Sequence, residues 1–252
     1  MNTCDTYSEE LIIDAILRKN FTNVGNEFVD DKVKAIRHYA FNACSTIDRI
    51  ICPKATYIGR QALSGCRATT VELPWDKITQ IDYRGFYGSA ATSSNPCKQE
   101  NLILSSLLVL GDYAFANAGA YTSELKSVTA PLLGVISTAS FRYQTSLENA
   151  DFAVGIPTGS SIFEGCTSLK RVHFGGKVTT IPAKLLYGCS AIESLILDGV
   201  EAVPTIPNTN AFTNSGLANG YVYVPRALIA AFEADSKWSA YSFRAIEDYP
   251  NI

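Results

Sequence analysis

The chain has no long hydrophobic run, no surplus of positive charge and almost no histidine, and each shortage removes a class of function. Its longest apolar stretch, Leu102 to Leu110, is about nine residues and contains two serines. A membrane-spanning helix needs roughly 20 apolar residues, so no membrane insertion is expected. Lysine and arginine number 21 against 24 acidic residues, a formal net charge of −3. A nucleic-acid binder displays a basic patch or stripe; none is visible, and nucleic acid is not expected as a partner. Asp5, Glu9, Glu10 and Asp14 stand where a secretory leader needs positive charge and then an apolar core. No signal peptide is read, so the expected location is the cytoplasm on synthesis, with a virion as the alternative and the cell surface as the weaker reading.

Catalytic and metal-binding residue types are equally sparse. Of the two histidines, His38 falls in a turn, and His173 lies between Val172 and Phe174, where strand alternation points it outward. Cys166 and His173 are therefore expected on opposite sides of a strand, which leaves no nucleophile–base pair. Gly175-Gly176-Lys177-Val178-Thr179 lacks both the upstream glycine and the Ser/Thr directly after the lysine that a phosphate-binding loop requires, and it reads as a turn. The carboxylates are scattered, with no metal-ligand spacing. Neither a cofactor nor a metal site is expected, and the chain is not read as an enzyme; a site assembled across neighbouring repeats is the distant alternative. The seven cysteines include no Cys-x-x-Cys pair and are expected as reduced, buried thiols.

What is present is repetition. In SIFEGCTSLKRVHFGGKVTTIPAKLLYGCSAIESLILDG, residues 161–199, Phe163, Cys166, Leu169, Val172 and Phe174 recur at the same offsets as Leu186, Cys189, Ile192, Leu195 and Leu197, 23 residues later. A period of this length marks a solenoid, in which each unit buries its core against its neighbours. Earlier copies carry Phe41 with Cys44, Leu63 with Cys66, then Phe86, Phe115 and Phe141. A weaker last copy carries Ala211, Phe212 and Ser215. In the second copy Val71 and Leu73 have slipped by one residue. In the third, the polar insertion ATSSNPCKQEN stretches the interval to the next anchor to 29 residues and reads as a surface loop.

Ile58-Gly59-Arg60-Gln61-Ala62-Leu63-Ser64-Gly65-Cys66 and Ile162-Phe163-Glu164-Gly165-Cys166-Thr167-Ser168-Leu169 resemble the BspA-type leucine-rich repeat. The resemblance implies a leucine-rich-repeat solenoid, β-rich and of the right-handed β/α superhelix class, with short parallel strands. Three segments are expected. Residues 1–31 form an N-terminal helical cap, with Thr6 and Glu9 as a capping box and Leu11, Ile12, Ala15 and Ile16 as the apolar stripe. Residues 32–224 hold about seven to eight repeats. Residues 225–252 form a C-terminal helical cap, with Leu228 and Phe232 on one helix face and Trp238 and Tyr241 as covers. The ending YVPRALIAAFEADSKWSAYSFRAIEDY is similar to the endings of such repeat proteins in gut bacteria and their phages.

On this fold, residues between the buried anchors of each strand line the concave wall. They are Arg49 and Ile51, Thr70 and Glu72, Ser127 and Thr129, Asn149 and Asp151, Arg171 and His173, Ser194 and Ile196. They vary while the anchors stay fixed, as a contact surface would. Six rungs at about 4.8 Å spacing give a strip of roughly 350 Å2, short of the ~800 Å2 per side that a stable protein interface takes. A partner is therefore expected to use loops as well, the 88–101 insertion first. The expected function is non-enzymatic recognition of, or adhesion to, a protein or cell-surface glycan. A structural role in a phage virion, as fibre, receptor-binding or decoration subunit, is the alternative, with homo-oligomer or virion assembly partners.

Overall fold

The computed structural model describes residues 27–88, 97–118 and 123–249. Short strands recur in alternation along the chain. The first group is β1 (Glu27–Val29), β2 (Ala35–Ile36), β3 (Arg49–Ile51), β4 (Tyr57–Ile58), β5 (Thr70–Glu72) and β6 (Gln80–Ile81). The second is β7 (Asn101–Ile103), β8 (Val109–Leu110), β9 (Ser127–Thr129), β10 (Val135–Ile136), β11 (Asn149–Phe152) and β12 (Ile156–Pro157). The last is β13 (Arg171–Phe174), β14 (Ser194–Ile196), β15 (Tyr221–Val224) and β16 (Phe243–Ala245).

Every strand pairing is parallel, and the pairs form two ladders running along one axis. The wider ladder consists of a three-stranded sheet, β1-β3-β5, and a seven-stranded sheet, β7-β9-β11-β13-β14-β15-β16. The narrower ladder consists of β2-β4-β6-β8 and β10-β12. Val71 pairs with Ile50 and Thr70 with Arg49, so the one-residue slip seen in the sequence is absorbed in the turn before β5. The break between β5 and β7 falls at the insertion. There a 3-10 turn, Trp75–Lys77, sets the Trp75 ring 5.1 Å from Phe86. Cys97, within the segment read as surface loop, is fully buried, and Asn101 already belongs to β7. The insertion is thus anchored by its own thiol rather than wholly external.

The turns between the two ladders form a third hydrogen-bonded column. Phe86, Phe115, Phe141 and Phe163 donate their backbone N–H to the carbonyls of Ala114, Ser140, Ile162 and Leu185 in the next rung, at 2.8–3.2 Å. This fixes the rings in file. Phe86–Phe115, Phe115–Phe141 and Phe141–Phe163 stack at 5.2, 5.6 and 5.6 Å with interplanar angles of 4°, 5° and 10°. Phe41 and Leu63 extend the same column by donating to Ala62 and Gly85. Two residues before each anchor the backbone turns left-handed, with φ of 62° at Tyr39, 55° at Arg84, 58° at Tyr113 and 54° at Lys184. Side chains pay a steric cost there; the N–H of each of the first three donates to the next rung (Tyr39 to Arg60, Arg84 to Asp112, Tyr113 to Thr138), which holds the conformation.

The position after the anchor turn is a hydrogen-bonding one. The Cys166 thiol donates to the Phe141 carbonyl at 3.1 Å and the Cys189 thiol to that of Phe163 at 3.0 Å. In the rung before, Gln144 takes the same place and its amide donates to the Phe115 carbonyl. The buried cysteines are therefore weak donors as well as space-fillers, each adding a second hydrogen bond to a carbonyl that already accepts a backbone N–H (Gln144 to Phe141, Cys166 to Phe163), and glutamine can take the same place. All six cysteines among the described residues carry free thiols.

The C-terminal end departs from the expected helical cap, and the N-terminal segment is described only from residue 27 onward. Residues 1–26, including the proposed helix over 8–19, lie outside the described residues. Residues 27–29, placed in the cap by the sequence, are instead strand β1, which pairs with β3 through Glu27↔Arg49 and extends the solenoid by one rung. At the other end the helix is one short element, α1 (Ile229–Ala234), preceded by a 3-10 turn at Arg226–Leu228. The closure is made by a further strand, β16, parallel to β15, and by an aromatic cluster. Phe232 and Trp238 are fully buried, with Phe212 5.7 Å and Phe232 5.1 Å from the indole. The indole N–H donates to the Pro204 carbonyl at 2.7 Å. A six-residue helix is too short to cover a rung alone; the rings do so.

Candidate binding face of the larger sheet

Strand alternation sends one set of side chains into the core and the other outward, and parallel registration lines the outward set into two files. On the seven-stranded sheet the first file is Asn101, Ser127, Asn149, Arg171, Ser194 and Tyr221, and the second is Ile103, Thr129, Asp151, His173, Ile196 and Tyr223. On the three-stranded sheet the files are Glu27, Arg49 and Thr70, and Val29, Ile51 and Glu72. The twelve residues singled out from sequence all occupy these files, but the β5/β7 break divides them four to eight. Sequence reading missed Glu27, Val29, Asn101, Ile103, Tyr221 and Tyr223. The inward Leu102 and Val222 are the alternation signal that would have found Asn101, Ile103, Tyr221 and Tyr223, whereas β1, with Phe28 as its single inward residue, is too short to show one.

Charge on this face is neutralised within the chain. Arg49 lies between Glu27 at 2.7 Å and Glu72 at 3.7 Å. Arg171 reaches Asp151 at 3.3 Å. His173 is held from both sides, with Nδ1 3.1 Å from Asp151 Oδ1 and Nε2 3.0 Å from Asp198 Oδ1. Burial alone would lower its pKa, but the two carboxylate hydrogen bonds and their charges outweigh it and push the imidazole up to about 9. The same contact with His173, helped by Arg171, holds Asp151 below the usual carboxylate range. His173 at neutral pH is therefore a cation that donates from both ring nitrogens. Neither nitrogen is left to serve a base, and Cys166 is turned into the core.

Beyond His173 the face closes over. Ile196 is only 1% exposed, so it drops out of the proposed contact set. Its register neighbours are His173 and Tyr223, and Tyr249 packs edge-on against Tyr223 at 5.4 Å. Arg244 lies 3.5 Å from the Tyr221 ring centroid and donates to the Tyr249 hydroxyl at 3.0 Å. The end of the chain folds back and roofs the last rungs. What stays open is a band on β7, β9 and β11: Asn101, Ile103, Ser127, Thr129 and Asn149. It bears no charge, offers hydroxyls and amides, and exposes 57% of Ile103. The Ser127 hydroxyl donates to Asn101 at 2.7 Å. The 88–101 insertion runs directly into this band through β7.

Among the described residues no group of three or more His, Cys, Asp or Glu side chains is placed to hold a metal ion. A shallow cavity lies between Lys177–Thr179 and Glu201–Val203, with the Lys177–Glu201 ion pair across it. No helix of the described residues is long and apolar enough to cross a membrane.

Parallel ladders of short strands joined by hydrogen-bonded turns over a phenylalanine file define a leucine-rich-repeat solenoid. Residues 16–118 and 90–219 match the BspA type leucine rich repeat region in six copies, and the chain belongs to that family. Among solved structures it is similar to a leucine rich cell surface protein from Faecalibacterium prausnitzii A2-165, with 18% identity, coverage of 83% of this chain and 72% of that one, and a TM-score of 0.37. It is also similar to a leucine-rich repeat protein from Bacteroides ovatus ATCC 8483, with 16% identity, coverage of 84% and 87%, and a TM-score of 0.26. No curated protein matches it.

Proposed function

We propose that the chain is a non-enzymatic recognition or adhesion module for a protein or cell-surface glycan, and that its contact face is the open band on β7, β9 and β11 together with the adjoining insertion. The observation that carries this is the division of labour within each rung. The inward positions repeat, with Leu102, Val128 and Ala150 all buried, while the outward ones do not. The ion pairs on either side of the band are mutually satisfied, so a partner reads mainly hydroxyls, amides and one apolar side chain. Such groups suit sugar hydroxyls or a polypeptide surface rather than a highly charged polymer.

Thr129→Arg and Asn149→Arg, singly and together with removal of residues 89–96, test the reading on a panel of immobilised glycans and matrix proteins. The expected result is at least ~10-fold weaker binding for the double arginine variant, because bulky charge in a close-packed contact blocks approach. Undiminished binding by a variant that keeps the wild-type unfolding midpoint would remove this face from consideration.

A further inference from the structure

On the larger sheet Arg49, Arg171 and His173 each lie against a carboxylate. The turn column treats charge differently. In the turns after β4, β6 and β8, the side chains of Arg60, Arg84 and Asp112 form no ion pair among the described residues. These turns belong to adjacent rungs, since Gln61 donates its backbone N–H to the Tyr83 carbonyl at 2.9 Å and Arg84 to that of Asp112 at 3.0 Å. Arg60 and Asp112 are exposed, and Tyr83, Arg84 and Tyr113 are half-buried. Asp82, beside Tyr83 in the chain, is engaged elsewhere: it accepts from the Tyr57 hydroxyl at 2.5 Å and from the Gln80 amide at 2.7 Å. The cluster is local. In the next two rungs the same turn positions hold Thr138 with Ala139 and Ser160 with Ser161, which bring neither ring nor charge.

Aromatic rings hold the two guanidinium groups in place. The guanidinium carbons of Arg60 and Arg84 each lie 5.1 Å from the centre of the Tyr83 ring. Arg84 is also 4.6 Å from the Tyr87 ring and 5.3 Å from that of Tyr113, and Tyr83 meets Tyr113 edge to face at 6.1 Å. A guanidinium placed over a ring is oriented through its face and keeps its N–H edge for another partner. Sharing one ring also brings the two cations to within about 10 Å of each other, about a Debye length at ~0.1 M salt. An anion shared by both relieves that repulsion and accepts charge-assisted hydrogen bonds from both.

We propose that this cluster binds an acidic sugar, a pyranose that carries a carboxylate or a sulfate. Arg60 and Arg84 take the acid group, Asp112 accepts from ring hydroxyls, and Tyr113 supplies apolar surface for the sugar ring. The mixture of groups selects the class. A polyanion charged at every step, such as a nucleic acid or a run of glutamates, meets Asp82 and Asp112 along with the arginines and is repelled by them. A neutral sugar leaves the guanidinium pair without its anion. A sugar acid brings one anion for the pair and hydroxyl donors for Asp112, whose Oδ1 accepts from the Thr138 N–H at 3.0 Å and whose Oδ2 has no partner among the described residues. The site lies on the turn column rather than on the larger sheet, and it stands independently of the neutral band on β7, β9 and β11.

Isothermal titration calorimetry on the full chain at ~50 mM salt tests this. The probes are a galacturonic acid tetramer, which carries carboxylates, a carrageenan tetrasaccharide, which carries sulfates, and a neutral galactose tetramer. A single-stranded DNA of ~20 nucleotides and polyglutamate are run beside them. At least one acidic tetrasaccharide is expected to bind, and which one identifies the acid group; the neutral tetramer should bind at least ~10-fold more weakly. Arg60→Gln and Arg84→Gln should each weaken the acidic probe by at least ~10-fold, the loss of a charge-assisted contact. Lys170→Gln, which removes an exposed cation paired with Glu148 on another face, should leave it unchanged. Gln61 already holds the left-handed position of Arg84 in the preceding rung, at φ 52°, so Arg84→Gln suits the backbone. Should it still fail to fold, the exposed Arg60→Gln carries the test alone. The proposal is overturned if neither acidic tetrasaccharide binds at up to ~5 mM, or if the neutral tetramer binds as well. DNA or polyglutamate binding as tightly as the acidic sugar overturns it too, as does a loss that is absent from the arginine variants or equally large in Lys170→Gln.

Discussion

His173→Gln should remove one distinct component of the pH dependence of stability, read as the difference between the variant and wild type. In the folded chain the imidazole is clamped between Asp151 at 3.1 Å and Asp198 at 3.0 Å, and its pKa is pushed up to about 9. In the unfolded chain it returns to about 6.5. A group whose folded pKa is raised binds its proton more tightly in the native state, so its contribution is complete below about pH 6.5 and declines as pH rises through about 9. Lifting an imidazole over that interval corresponds to ~3.4 kcal/mol. Water competes for both carboxylates, whose side chains are 33% and 41% exposed, and about half of that figure, ~1.5–2 kcal/mol, is expected to be realised. Guanidinium unfolding of wild type and His173→Gln at pH 6, 8 and 10 measures it directly. The gap between the two should be largest at pH 6, smaller at pH 8 and close to nil at pH 10. In parallel, the His173 proton signal, assigned with the help of His38→Gln, should titrate near 9. Curves of constant separation from pH 6 to 10, or a His173 titration near 6.5, would refute the clamp.

Two further outcomes follow from the interior. Phe163→Ala should cost about 3–5 kcal/mol, as for other buried aromatic truncations, because the ring is fully buried and packs against Phe141, Phe152 and Phe174. Lys170→Ala loses only an exposed pair with Glu148 and should stay within about 0.5 kcal/mol; equal effects in chemical denaturation would undo the inside–outside assignment. Alkylation followed by peptide mapping should separate the thiols. Cys44, half-buried and lowered by the neighbouring Cys66 side chain and by the Thr46 and Ile47 backbone, should react first at neutral pH. Burial lifts Cys52, Cys97 and Cys189 to about 12, so these should stay silent until the chain unfolds. Denaturation without reductant should then release seven thiols, and three or fewer would contradict reduced cysteines.

The core was legible in the sequence because its signal is local and repeated. Phe115, Phe141 and Phe163 announce themselves by volume and spacing, and the structure stacks them. The slip at Val71 was visible for the same reason. What escaped depends on residues a full rung or more away. Ile196 follows the outward alternation, yet it is buried beside Tyr223, which registers with it from 27 positions further on in the chain. Asp198 lies just past β14, so no periodicity ties it to His173; only the stacking of rungs brings them to 3.0 Å. Strand β1 offers a single inward residue, Phe28, and β16 only Ala245 as fully buried, too little alternation to recognise. The C-terminal segment misled in the other direction. Pro225 and the alanines of 227–234 are helix signals, but the tight return that β16 needs leaves room for six helical residues.

These placements bear on how such a module would act. Arg49, Arg171 and His173, the most prominent charges on the larger sheet, are each occupied by carboxylates of neighbouring rungs. They hold the rungs in register, and a partner that sought them would first have to break those contacts. The neutral band on β7, β9 and β11 carries no such obligation, but it is small, and a contact of that size is weak when single.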